Sequence, residues 1–93
     1  MVSVLISLSS PDIVKSFVSE VTKLDGDFDL ISDRYILDAR SLMGIFSLDL
    51  TKPIELRILN DTQQNIDALK SFMIEEPRKL APQDVTAGVA GNA

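Results

Sequence analysis

From Val2 to Leu8 the chain alternates, with Val2, Val4, Ile6 and Leu8 on one face, Ser3 and Ser7 on the other, and Leu5 as the only breach. A period of two residues is that of a half-buried strand. Ser9 and Ser10 then precede Pro11 and Asp12, which places a hydroxyl at a helix cap, proline at the first helical position and an acid in the first turn. Past that point the period lengthens. Ile13, Val14, Phe17, Val18, Val21 and Leu24 share one side, and Lys15, Ser16, Ser19, Glu20 and Lys23 the other, so the spacing predicts an amphipathic helix lying on a sheet.

Asp25-Gly26-Asp27 stops that helix. Phe28 to Ile31 and Tyr35 to Leu37 read as two short strands joined at Ser32-Asp33-Arg34. Ser41 opens the apolar patch LMGIFSL, whose length and single glycine suit a two-turn helix capped by the Ser41 hydroxyl. Not all of its apolar residues can face inward, so one or two stay exposed. After Thr51-Lys52-Pro53, Ile54, Leu56 and Ile58 alternate with Glu55 and Arg57 as a last strand. Asn60-Asp61-Thr62 cap a third helix that presents Ile66, Leu69, Phe72 and Met73 and ends before Pro77. The order is βαββαβα. Short connections favour an α+β fold, a four-stranded antiparallel sheet with its helices on one face and the other face open to water.

The 93 residues hold one domain, assigned to residues 1–76, and an aperiodic extension over 77–93 that reads as a mobile tail. Hydrophobic residues make up 45% of the chain, enough to bury a core. Cysteine and histidine are both absent, which removes thiolate chemistry, disulfides, and the commonest metal ligand and general base. The reading is therefore of a non-enzyme without a cofactor. A net charge of −5 leaves no basic stripe for nucleic acid, and no apolar run is long enough to span a membrane. The first residues lack the basic region of a secretory signal, so the cytoplasm is the expected location. Asp25, Asp27 and Asp29, spaced by two, would share a face on a strand and could hold a divalent cation weakly, but a solvated turn explains them better.

The segment ARSLMGIFSLDL, Ala39 to Leu50, resembles the regulatory serine region of HPr, the phosphocarrier of the bacterial sugar phosphotransferase system. That family has a serine after a basic residue, then two apolar residues, glycine, two apolar residues, serine and leucine. Arg40, Ser41, Leu42, Met43, Gly44, Ile45, Phe46, Ser47 and Leu48 fit each place. The likeness extends over about residues 1 to 75 and implies an open-faced βαββαβα sandwich. It fails at one point. Where HPr carries its phosphorylated histidine this chain has Ser10, and where the phosphate-pairing arginine would stand it has Asp12. A serine hydroxyl is a weak nucleophile without an adjacent base, and its phosphate ester is a poor donor. Ser10 and Asp12 are better explained as helix capping.

For Ser41 the resemblance implies regulation. In HPr proteins of low-GC Gram-positive bacteria the matching serine is phosphorylated by an HPr kinase/phosphorylase, and the product binds a catabolite-control transcription regulator. The related Crh proteins lack the histidine and keep the serine, the combination present here. The partner-binding surface would comprise Arg40, Leu42, Met43 and Phe46 around Ser41. Capping accounts for this serine equally well. Two other readings stand beside this one: a carrier phosphorylated elsewhere, disfavoured by the missing histidine, and a repurposed interaction or ligand-binding module that kept the fold.

Overall fold

The computed structural model describes residues 1–33 and 35–80. The elements are β1 (Val2–Ile6), α1 (Pro11–Thr22), β2 (Phe28–Ser32), β3 (Tyr35–Asp38), α2 (Leu42–Phe46), β4 (Ile54–Ile58), α3 (Gln63–Ala68), a 3₁₀ turn over Lys70–Phe72, and β5 (Arg78–Lys79). All pairings are antiparallel, in the order β3-β2-β4-β1-β5. The expected α+β architecture is present, with five strands where four were expected. Arg78 and Lys79, assigned by sequence to the mobile tail, pair with Ser3 and Val2. The rest of that tail, 81–93, lies outside the described residues.

Register follows from alternation. Phe28, Ile58 and Val2 form one cross-strand row, and Leu30, Leu56 and Val4 the next. All six are buried. Val14, Phe17 and Val21 of α1 lie in the same core, where the Phe17 ring meets Phe72 edge-on at 5.3 Å. Each such aromatic or aliphatic side chain contributes about 1.5–3 kcal/mol on burial.

On the opposite face one row is polar and the next is mostly aliphatic. Asp38, Asp29, Arg57, Ser3 and Arg78 stand across the five strands, flanked by Ile36, Ile31, Glu55 and Leu5. Ser3 was expected on the solvated face but is almost fully buried, and its hydroxyl donates to Glu55 Oε2 at 2.8 Å. Arg57 Nε donates to the same oxygen at 2.8 Å. Burial would raise the Glu55 carboxyl, yet the hydrogen bonds from Arg57 and Ser3 outweigh it and hold it below its ordinary value.

The third helix departs from expectation. It ends at Ala68, after which the 3₁₀ turn keeps Leu69 and Phe72 buried and Met73 becomes extended. The outer edge of β1 is the cause. Its unpaired groups need partners, and the chain supplies them: Ser7 N–H donates to Phe72 C=O, Ile74 N–H to Leu5 C=O, and Leu5 N–H to the Glu75 carboxylate. Farther along, Leu80 N–H reaches Met1 C=O at 2.9 Å. Asp61 pins this flank, accepting from Lys79 Nζ at 2.8 Å and from the Met1 ammonium at 3.2 Å. Those two hydrogen bonds lower its carboxyl to about 2. Stability from Asp61 is therefore present at neutral pH and is lost as pH falls from about 3.9 through that value.

One cross-strand pair works against the fold. Asp29 and Asp38 are directly opposed, and like charges in that position are destabilising. Burial, then the charges of Asp38 and Asp27, push the Asp29 carboxyl up, against a smaller opposing pull from Arg57. A raised carboxyl costs stability above its folded value, and the cost fades as pH falls toward the unfolded value of about 3.9. Asp29→Asn should therefore raise the denaturation midpoint at pH 7 and leave it unchanged near pH 3, measured by chemical unfolding at both pH values.

Candidate functional site

Arg40 and Ser41 are adjacent in sequence and have different fates. The Arg40 guanidinium reaches back to the end of α1, donating to Leu24 C=O at 3.0 Å and Gly26 C=O at 2.8 Å. It also lies 5.4 Å from the centroid of the Phe28 ring. A cation is favourable against the free carbonyls of a helix C-terminus and over an aromatic face. From the opposite flank Asn65, a buried polar side chain, donates to Asp25 C=O and Asn60 C=O at 2.9 and 2.8 Å. Gly26 completes this junction with φ +98°, and a Cβ there would meet the Asn60 Cβ at 2.5 Å. Arg40, half-exposed, is thus engaged in joining α1 to the β3–α2 connection.

Ser41 precedes α2 and is exposed. The sequence predicts that its hydroxyl caps this helix, but it makes no capping hydrogen bond. Backbone conformation explains the difference. Ser10 (φ −145°, ψ 158°) and Thr62 (φ −66°, ψ 154°) have the extended ψ of a cap, and their oxygens accept from Ile13 N–H and Asn65 N–H at 3.2 Å. Ser41 has ψ 88°. Its carbonyl accepts the first helical hydrogen bond, from Ile45 at 2.9 Å, while its Oγ lies over Gly44, where a Cβ would come within 2.8 Å of it.

Helix α2 spans Leu42–Phe46, shorter than the two turns expected. Ile45 enters the core, and Leu42 and Leu48 pack partly against it. Met43 and Phe46 point outward, 81% and 38% exposed. Of the four residues expected to form a partner surface, then, Met43 and Phe46 are available, Leu42 is half-buried and Arg40 is engaged elsewhere. The exposed Ser41 hydroxyl beside a thioether and an aromatic ring forms a small amphipathic patch.

Ser10 stands at the other candidate position as the cap of α1, with Asp12 exposed in the first turn. Asp25 and Asp27 lie in the loop before β2, and Asp29 alone of the three is in the strand, so they do not share the strand face a cation site would need. Among the described residues no group of three or more Asp or Glu is placed to hold a metal ion. No described helix is long and apolar enough to cross a membrane.

The antiparallel sheet and its three helices have an HPr-like fold, shown by a solved structure. The crystal structure of HPr-C-His from Thermoanaerobacter tengcongensis superposes with a TM-score of 0.62 at 23% identity, covering 74% of this chain and 86% of that one. No protein-family model and no curated protein matches the sequence.

The two serines separate by measurement. Ser10→Ala should lower unfolding free energy by about 1 kcal/mol through loss of the cap. Ser41→Ala should leave it within about 0.5 kcal/mol. Urea denaturation of both variants checks this, and an equal loss in both would show that Ser41 caps after all.

Proposed function

We propose that this chain is an HPr-like regulatory binding protein of the phosphotransferase type, unable to act as a phosphohistidine carrier and controlled by phosphorylation of Ser41. It acts in the cytoplasm, without catalysis of its own. The observation that carries the reading is the exposed Ser41 hydroxyl, uncommitted to capping and set beside the exposed Met43 and Phe46. The sequence around it, Arg40 to Leu48, supports the same reading through its likeness to the HPr regulatory segment. A phosphoserine adds about −1.5 to −2 charge and three strong acceptor oxygens. Because the hydroxyl holds no structural hydrogen bond, the modification changes surface chemistry and leaves the core as it is. A protein partner then reads phosphate and apolar side chains together. The partners that fit are an HPr kinase/phosphorylase, which writes the mark, and a catabolite-control transcription regulator, which reads it.

A second reading is favoured by one observation. Arg40 is tied to Leu24 and Gly26 and so is withdrawn from a phosphate at Ser41. A repurposed HPr-fold interaction module with no phosphotransfer role would keep Arg40 for the fold alone.

Intact-mass spectrometry after incubation with ATP and an HPr kinase/phosphorylase distinguishes the two. The regulatory reading predicts one added phosphate, absent from Ser41→Ala and retained in Ser10→Ala. No addition to a folded protein, or a phosphate that persists in Ser41→Ala, favours the repurposed module.

A further inference from the structure

The two edges of the sheet are finished differently. At one edge β1 is covered by residues 72–80, and the short outer strand β5 consists of Arg78 and Lys79, both exposed. Charged residues and short length are common devices that keep an edge from pairing. At the other edge the longer, four-residue β3 reads Tyr35-Ile36-Leu37-Asp38, with no proline and Asp38 as its one charge, and Tyr35 and Ile36 are 65% and 64% exposed.

Hydrogen bonding shows which groups of β3 are free. Ala39 N–H donates to Phe28 C=O. In an antiparallel ladder this alternates, so Leu37 and Tyr35 turn their amides toward β2, and Ile36 and Asp38 turn theirs outward. The Asp38 carbonyl is taken by Ser41 N–H. Among the described residues, the groups without a partner are the N–H and C=O of Ile36 and the N–H of Asp38. Beside them lies the acidic row of Asp38 and Asp29, with Asp27 close enough to act on Asp29.

We propose that β3 is a docking edge for an extended, basic peptide segment of a protein partner, which adds antiparallel to it as a further strand. Residues opposite one another share a sheet face. The partner residue across from Asp38 therefore lies beside the acidic row and is Lys or Arg. The residue two positions later lies across from Ile36 and is a branched apolar one. The recognised pattern is basic–any–apolar, with affinity from main-chain hydrogen bonds and selectivity from charge, as in other strand-addition complexes. The edge adjoins Ser41 through the Asp38 carbonyl but uses the outward groups of Ile36 and Asp38 and not the Ser41 hydroxyl, so the proposal stands or falls independently of the regulatory reading.

The test is NMR titration of the ¹⁵N-labelled full chain with a short capped Thr-rich peptide carrying one Arg two positions before one Ile. Its counterpart has Glu in place of Arg. The proposal expects the Ile36 and Asp38 amides to shift and gain exchange protection while those of Tyr35 and Leu37 change little. It also expects the Arg peptide to bind more tightly than the Glu peptide, with the difference reduced about threefold in Asp38→Asn, in line with measured cross-strand charge pairs. Asn keeps an oxygen that can accept from Arg40 N–H as Asp38 does, so the turn is preserved. Equal binding of the two peptides, shifts centred on α2, or no binding at millimolar peptide would overturn it. So would concentration-dependent protection of Ile36 and Asp38 in the protein alone, which would make the occupant a second copy.

Discussion

The structure depends on the register of β4. This strand lies between β2 and β1 and pairs with both along its length. Ile54, Leu56 and Ile58 point into the core, and Glu55 and Arg57 point away from it. Because side chains alternate with a period of two, a slip of one residue would put two charges under α1 and three aliphatic side chains into water. Neither neighbour tolerates the slip, since their own rows are buried at the same positions. The Ser3–Glu55–Arg57 hydrogen bonds on the outer face hold the same register by polar means.

That frame places the residues around Ser41. With β3 set against β2, the chain turns at Ala39, whose amide bonds Phe28, and sends the Arg40 side chain to the end of α1. The side chain of one residue joins two elements, and that of the next is left in solvent. A short helix is marginal in water on its own, so α2 is held by Ile45 in the core and not by its cap. The hydroxyl is thereby free of a structural task.

Much of this was legible in the residues. Alternation and helical spacing located β1, α1, β2 and β4, because each buries one face and writes that face into the sequence; β3, with no buried residue, was read as the second arm of a hairpin. What was missed has a different origin. Residues 78 and 79 carry no apolar pattern; they form a strand because β1 presents unpaired backbone, which no side-chain period reports. The shortening of α3 has the same source. Ser10, Ser41 and Thr62 look alike as cap residues, yet capping requires an extended ψ, and that angle at Ser41 is set by the turn out of β3. Arg40 could have been read as a cation for a helix C-terminus only once the end of α1 was known to lie beside it in space.

The pairing of β1 with β5 has a mechanical side. The two strands run antiparallel, with Val2 opposite Lys79 and the Met1 carbonyl bonded to the Leu80 amide, so residues 1 and 80 sit side by side. Tension applied between them loads the hydrogen bonds one after another, as in a zipper, and never all at once in shear. The protein should resist such a pull weakly, giving way first at Asp61 and its cations and then peeling back toward Glu75, while β4 and the core remain assembled.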